Sequence, residues 1–135
     1  AGTVWVGMAS HADTGPYHGW LLGFDAASLE LNAVFNATPN GSGGGLWMSG
    51  VAVTVDPQGF LYAAFANGDF DNDALDPNGF PARGNYGDSF VKFAIDPTTG
   101  PANPHKNGWG LRVVDYFTPA NQEQMQANDS GVGSS

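Results

Sequence analysis

A chain of 135 residues with only four Lys plus Arg against 13 Asp plus Glu, net charge −9, offers no basic stripe to neutralise phosphates. That excludes a nucleic-acid-binding role and attraction to an anionic membrane surface. The absence of cysteine excludes disulfides and thiolate chemistry, and no apolar run approaches the roughly 18 residues of a membrane span.

Gly 20 and Pro 9 punctuate short runs of Val, Phe, Leu, Tyr and Trp, an all-β composition with many turns. In chain order, strands are predicted over 3–9, 19–25, 31–37, 49–55, 60–66, 88–95 and 111–117. No signal peptide is visible ahead of the first, and Ala1 reads as a processed or cut end. Asp56-Pro57-Gln58-Gly59 is predicted as a type I turn, with Pro at its second and Gly at its fourth position. Asp96-Pro97-Thr98-Thr99-Gly100 turns the chain again. The segments 67–87 and 100–110 are long loops, which in a compact repeat are more often functional than idle. A short helix is expected over 118–127, with Thr118 as N-cap and Pro119 at the first helical position, and a Gly/Ser tail follows.

The strands repeat. Thr3-Val4-Trp5-Val6-Gly7-Met8-Ala9 matches Phe60-Leu61-Tyr62-Ala63-Ala64-Phe65-Ala66. Gly19–Asp25 matches Ser89–Asp96 with a one-residue slip, and Leu31–Pro39 matches Leu111–Pro119 without a gap. The strands keep their order while the loops between them lengthen, as in stacked β-sheet repeats. The predicted fold is therefore all-β: antiparallel four-stranded propeller blades, one full and most of a second, forming part of a larger β-propeller. Residues 1–40 make the partial blade, 41–120 the complete blade with long loops, and 121–135 the short helix and tail. A closed ring needs at least roughly four blades, so the expected partners are the remaining blades, a completing chain or further copies in an oligomer.

Ala94-Ile95-Asp96-Pro97-Thr98-Thr99-Gly100 fits the A-x-D-x-x-T-G pattern of quinoprotein blades, and Gly23-Phe24-Asp25-Ala26-Ala27-Ser28-Leu29 is a weaker copy. On these residues the chain resembles the pyrroloquinoline quinone (PQQ)-dependent alcohol dehydrogenases and their PQQ-like relatives. The resemblance implies a periplasmic or secreted propeller that uses PQQ and Ca²⁺ to oxidise an alcohol. It also implies site residues. Ser10-His11-Ala12-Asp13-Thr14-Gly15 is similar to the loop whose acid binds Ca²⁺, which assigns Asp13 to the metal. Phe65-Ala66-Asn67-Gly68 is similar to the loop whose Asn is a second metal ligand, which assigns Asn67. Gly45-Leu46-Trp47-Met48-Ser49 is similar to the loop whose Trp lies under the quinone, which assigns Trp47. The region of the catalytic base is similar only at Phe117-Thr118-Pro119-Ala120, and its acid then falls late, at Asp129. Asp13 stands where the family has Glu, and the adjacent cysteine pair of many members is absent.

Independently of the resemblance, Asp69, Asp71 and Asp73 alternate in a Gly-containing loop. That pattern can wrap a cation that prefers oxygen, such as Ca²⁺, though it lacks the spacing of an EF-hand. His11, His18 and His105 have no Cys and no suitable spacing for a transition metal. Two functions follow as expectations: a segment of a PQQ- and Ca²⁺-dependent dehydrogenase, or a non-catalytic binding or scaffold module whose loops meet a protein or glycan.

Overall fold

A computed structural model describes residues 2–48 and 53–132. The strands are β1 (Thr3–Met8), β2 (Trp20–Asp25), β3 (Leu31–Asn36), β4 (Thr54–Val55), β5 (Leu61–Ala64), β6 (Phe90–Asp96) and β7 (Gly108–Phe117), followed by one short helix, α1 (Gln122–Ala127). They form one antiparallel sheet in the order β1-β2-β3-β7-β6-β5-β4, curled into a half-barrel. Residues 49–52 of the predicted fourth strand lie outside the described residues. Among the described residues, no helix is long and apolar enough to cross a membrane.

The sequence repeat reappears as two antiparallel runs, β1-β2-β3 and β5-β6-β7. Each carries a register shift between its second and third strands, at Gly23/Phe24 and at Lys92/Phe93. The runs are joined edge to edge where Val34 and Phe35 pair with Trp109 and Gly108. This pairing makes β7 longer than its local sequence pattern implied. Gly108 (φ +136) and Gly110 (φ +77) bend its start, so that the sheet folds over and its two halves meet face to face.

Alternation along the strands decides what is buried. Leu21, Ala33 and Phe35 of the first run pack against Leu61, Val91 and Phe93 of the second. The Phe35 and Phe93 rings meet edge to face at 4.7 Å between centroids, and Phe65 stands 5.7 Å from Phe35. Such pairs contribute about 1 kcal/mol beyond the area they bury.

The turns form by one device used twice. In Asp56–Phe60 the aspartate Oδ1 accepts the N–H of Gln58 (3.0 Å) and Phe60 (2.9 Å), while Gly59 donates to the Asp56 carbonyl (2.9 Å). In Asp76–Phe80 the same bonds run from Asn78 (2.8 Å), Phe80 (2.9 Å) and Gly79 (2.9 Å). The helix begins later than predicted. Thr118 does not cap it but hydrogen-bonds Ser89 Oγ at 2.6 Å, and Asn121 occupies the N-cap without a side-chain bond.

The loops are held together by four buried glycines. Gly19 donates to the Gly43 carbonyl (2.9 Å), Gly44 to Asn67 (2.8 Å) and Gly87 to Asp69 (2.9 Å). A Cβ on Gly19 would lie 1.6 Å from the Gly44 carbonyl oxygen, one on Gly68 2.2 Å from the Gly44 nitrogen, and one on Gly87 2.1 Å from the Gly68 oxygen. No side chain fits between these backbones. Gly68→Ala is therefore expected to cost about 3 kcal/mol or more through overpacking. Gly59→Ala, at a turn with φ +87 and open space, should cost only about 1 kcal/mol from backbone strain. Urea denaturation of the two variants checks this, and equal costs would contradict the glycine stack.

Candidate functional site

The glycine stack fixes four chain segments beside one another: the β1–β2 loop, the strap from Gly41 to Met48, the turn at Ala66–Asp69 and the segment leading into β6 at Gly87; the segment after α1 joins them through Asp129. Asp13 lies at positive φ (52°) at the end of a single 3-10 turn, His11–Asp13. Its Oδ1 accepts the Tyr17 hydroxyl at 2.5 Å. Asn67 follows the last core residues of β5, and its Nδ2 donates to Asp129 Oδ1 at 2.7 Å. Asp129 also takes positive φ (51°) just beyond α1. Burial, then the bond to Asp13, then the charges of Asp13 and Asp129 push the Tyr17 hydroxyl pKa well above the ordinary tyrosine range. Tyr17 thus stays a protonated donor and links the two pairs electrostatically.

Asn67 and Asp129 thus meet directly, and Asp13 lies on the same side, or rim, of the stack by way of Tyr17. Trp47 lies in the strap, two residues after Gly45. It is half-buried, and a Cβ on Gly45 would meet both Ala9 Cβ (2.9 Å) and Trp47 Nε1 (3.0 Å). The Gly45 carbonyl accepts the Ala66 N–H at 2.9 Å, one residue before Asn67.

The alternating aspartates do not gather at one point, although Asp71 and Asp73 both approach the Arg83 guanidinium, at 4.0 and 2.9 Å. Asp69 Oδ2 accepts the Ser42 N–H (2.8 Å), and Asp73 pairs with the exposed Arg83 guanidinium (2.9 Å). Asp71 is fully buried; it accepts the backbone N–H of Arg83 (2.8 Å) and Asn85 (3.3 Å) and the Asn85 amide (2.9 Å). Its role in this loop is that of an internal acceptor. Among the described residues no group of three or more His, Asp or Glu is arranged to hold a metal ion. At the rim, two carboxylates and an amide are the donor type Ca²⁺ takes, but Ca²⁺ binds six to eight oxygens, so most of a coordination shell would have to come from elsewhere. His18 is engaged by Thr38 (2.8 Å to its carbonyl), and His105 by the Leu111 carbonyl.

Sequence reasoning missed the groups beneath the rim. Asp88 is fully buried, at positive φ (51°), and its Oδ1 has no hydrogen-bond partner among the described residues. Its Oδ2 accepts from Gln122 Nε2 at 3.1 Å. The same nitrogen donates to the Gly68 carbonyl at 2.8 Å, and Gln122 Oε1 accepts from Asn72 at 3.0 Å. One buried glutamine thus ties α1 to the glycine stack. The signal available in sequence was slight: an acid between the small residues Gly87 and Ser89, where a strand begins.

Burial pushes the Asp88 carboxyl pKa up, opposed by its bonds to Gln122 and the Val132 amide. A carboxyl whose folded pKa exceeds its unfolded value stabilises the fold fully below the unfolded value, and that contribution is lost as pH rises through the folded one. Asp25, Asp56 and Asp96, held below the usual range by turn hydrogen bonds against any desolvation, act with the opposite sign and at lower pH. The difference in stability between Asp88→Asn and the parent is therefore expected to turn increasingly in favour of the variant as pH rises above the ordinary aspartate range. Denaturant midpoints across pH measure it, and a difference independent of pH would count against a buried, reluctant carboxyl.

No family model, curated protein or solved structure matches the chain.

Proposed function

We propose that the chain is a non-catalytic binding module whose loop rim meets a hydroxyl-rich ligand, a glycan. The observation that carries this reading is the pairing of Asp13 with Tyr17 and of Asn67 with Asp129. These exposed polar groups come from three separate chain segments and are held by a rigid backbone stack. Carboxylate and amide oxygens accept from sugar hydroxyls, and a partly exposed indole such as Trp47 offers an apolar plane beside them. The two carboxylates disfavour an anionic ligand. Asp129 is exposed, and its Oδ1 is already engaged by the Asn67 amide.

A second reading has specific support. The resemblance to PQQ-dependent dehydrogenases assigns Asp13, Asn67, Asp129 and Trp47, and of these Asn67 and Asp129 are hydrogen-bonded, with Tyr17, the partner of Asp13, acted on by both acids. In that reading the chain is a segment of a larger extracytoplasmic propeller. Asp13 and Asn67 would contribute oxygens to Ca²⁺, Trp47 would support the ring of PQQ, and Asp129 would take the hydroxyl proton of the alcohol. When bound, PQQ supplies the two-electron acceptor. The edge pairing of β3 with β7, rather than two separate blades, favours the first reading.

Two measurements on the purified chain separate these readings. On a glycan array the binding reading expects selective retention, weakened about tenfold, or ~1.4 kcal/mol, by Asp13→Asn or Asn67→Ala. In an alcohol-dependent dye-reduction assay with added PQQ and Ca²⁺, it expects no turnover above that of free PQQ. Turnover that requires Asp13 and Asn67 would establish the dehydrogenase reading instead, and an array without retained glycans would remove the first.

A further inference from the structure

With β1 set on β5 as their sequences align, the ladders bring β2 and β6 into correspondence. Val6 stands opposite Leu22 as Ala63 stands opposite Val91, and Val4 opposite Phe24 as Leu61 opposite Phe93. The face of the first run that bears Val4, Val6, Met8, Leu22 and Phe24 thus corresponds to the face of the second that bears Leu61, Ala63, Phe65, Val91 and Phe93. In the second run that face is buried by the first. In the first run it is open: Val4 is 46%, Val6 38% and Met8 47% exposed.

The opposite faces show the complementary relation. Trp5 and Leu21 of the first run pack into the core. Their register equivalents, Tyr62 and Phe90, lie on the open face of the second run, where Phe90 is 50% and its ladder partner Phe117 62% exposed. A groove lined by Tyr62, Phe90, Lys92, Asp115 and Phe117 runs along this face. Each run therefore has one face that receives and one that is received. Inside the chain one such contact is made, and one face of each kind remains uncovered.

We propose that the open face of β1–β2 in one copy of this chain docks on the open face of β5–β7 in a second copy, head to tail, repeating the contact that joins the two runs within the chain. Charge is compatible with these faces. Copies that each carry −9 repel, and they can meet only where carboxylates are absent or balanced. The receiving face has no charged residue among Val4, Val6, Met8 and their β2 partners. On the other face Lys92 stands directly opposite Asp115, with its ammonium over the Phe60 ring at 4.1 Å. Because the two faces differ, the contact is heterologous and continues into a ring or a filament. The inference does not depend on what the rim binds.

Sedimentation equilibrium on the parent chain, Val6→Glu and Phe90→Glu tests this. Self-association is expected in the parent, strengthened by salt as repulsion is screened. Either substitution should raise the concentration for half-association about tenfold or more. Mixing the two variants should restore a 1:1 dimer that grows no further, because each variant keeps one intact face. Met8→Glu and Phe117→Glu replace either variant that fails to fold by circular dichroism. A parent that stays monomeric would overturn the proposal. So would association sensitive to Val6→Glu alone, which would mean like faces meeting, or association indifferent to both substitutions.

Discussion

The closest approach in this protein is made by backbones alone. Gly19, Gly44, Gly68 and Gly87 come from four separate segments and lie so near one another that a methyl group on Gly19, Gly68 or Gly87 would overlap a main-chain atom of another of them. Amide-to-carbonyl bonds run through the same segments. Everything at the rim takes its position from this stack: Tyr17 two residues before Gly19, Asn67 beside Gly68, Asp88 beside Gly87, and α1 through the bond from Gln122 to the Gly68 carbonyl. Glycine in place of a larger residue carries an entropic cost in the unfolded chain. Here that cost is offset by hydrogen bonds in a region too narrow for side chains, and by a platform on which polar groups from distant segments are held together.

The second organising feature is that β1 presents apolar residues on both of its faces. A solvated antiparallel sheet alternates apolar and polar residues. In β1 the alternation is instead between Val4, Val6 and Met8 on one side and Trp5 and Gly7 on the other, so a single register leaves no polar face. Curling the sheet satisfies one side of each run. The Phe35, Phe65 and Phe93 rings then close the interior where the halves meet.

Much of the β architecture was legible because period-two patterns are local. The strands at 19–25, 31–37, 60–66 and 88–95 are found within one or two residues of their expected limits, and the antiparallel order within each run follows from chain succession. What was not legible depends on contacts distant in sequence. The β3–β7 pairing is made by two residue pairs that no local pattern announces, and it joins the two runs into one curled sheet. Thr118 and Pro119 carry a strong helix-start signal, yet Ser89 claims the Thr118 hydroxyl, so the helix waits until Gln122. Asp13, Asn67 and Asp129 could be picked from motifs. Their meeting depends on the glycine stack, and Asp88 and Gln122 carry no motif at all.

Asp71 shows how such a structure governs motion. Its carboxylate closes the loop between Phe70 and Asn85 by accepting two main-chain N–H groups and one side-chain amide, all in a site without solvent. Loss of any one of these bonds leaves a buried charge less compensated and the remaining bonds weaker. Partial opening is therefore less favourable than either end state. The loop should move as a single clasp, shut or released as a whole, rather than fraying residue by residue from its tip.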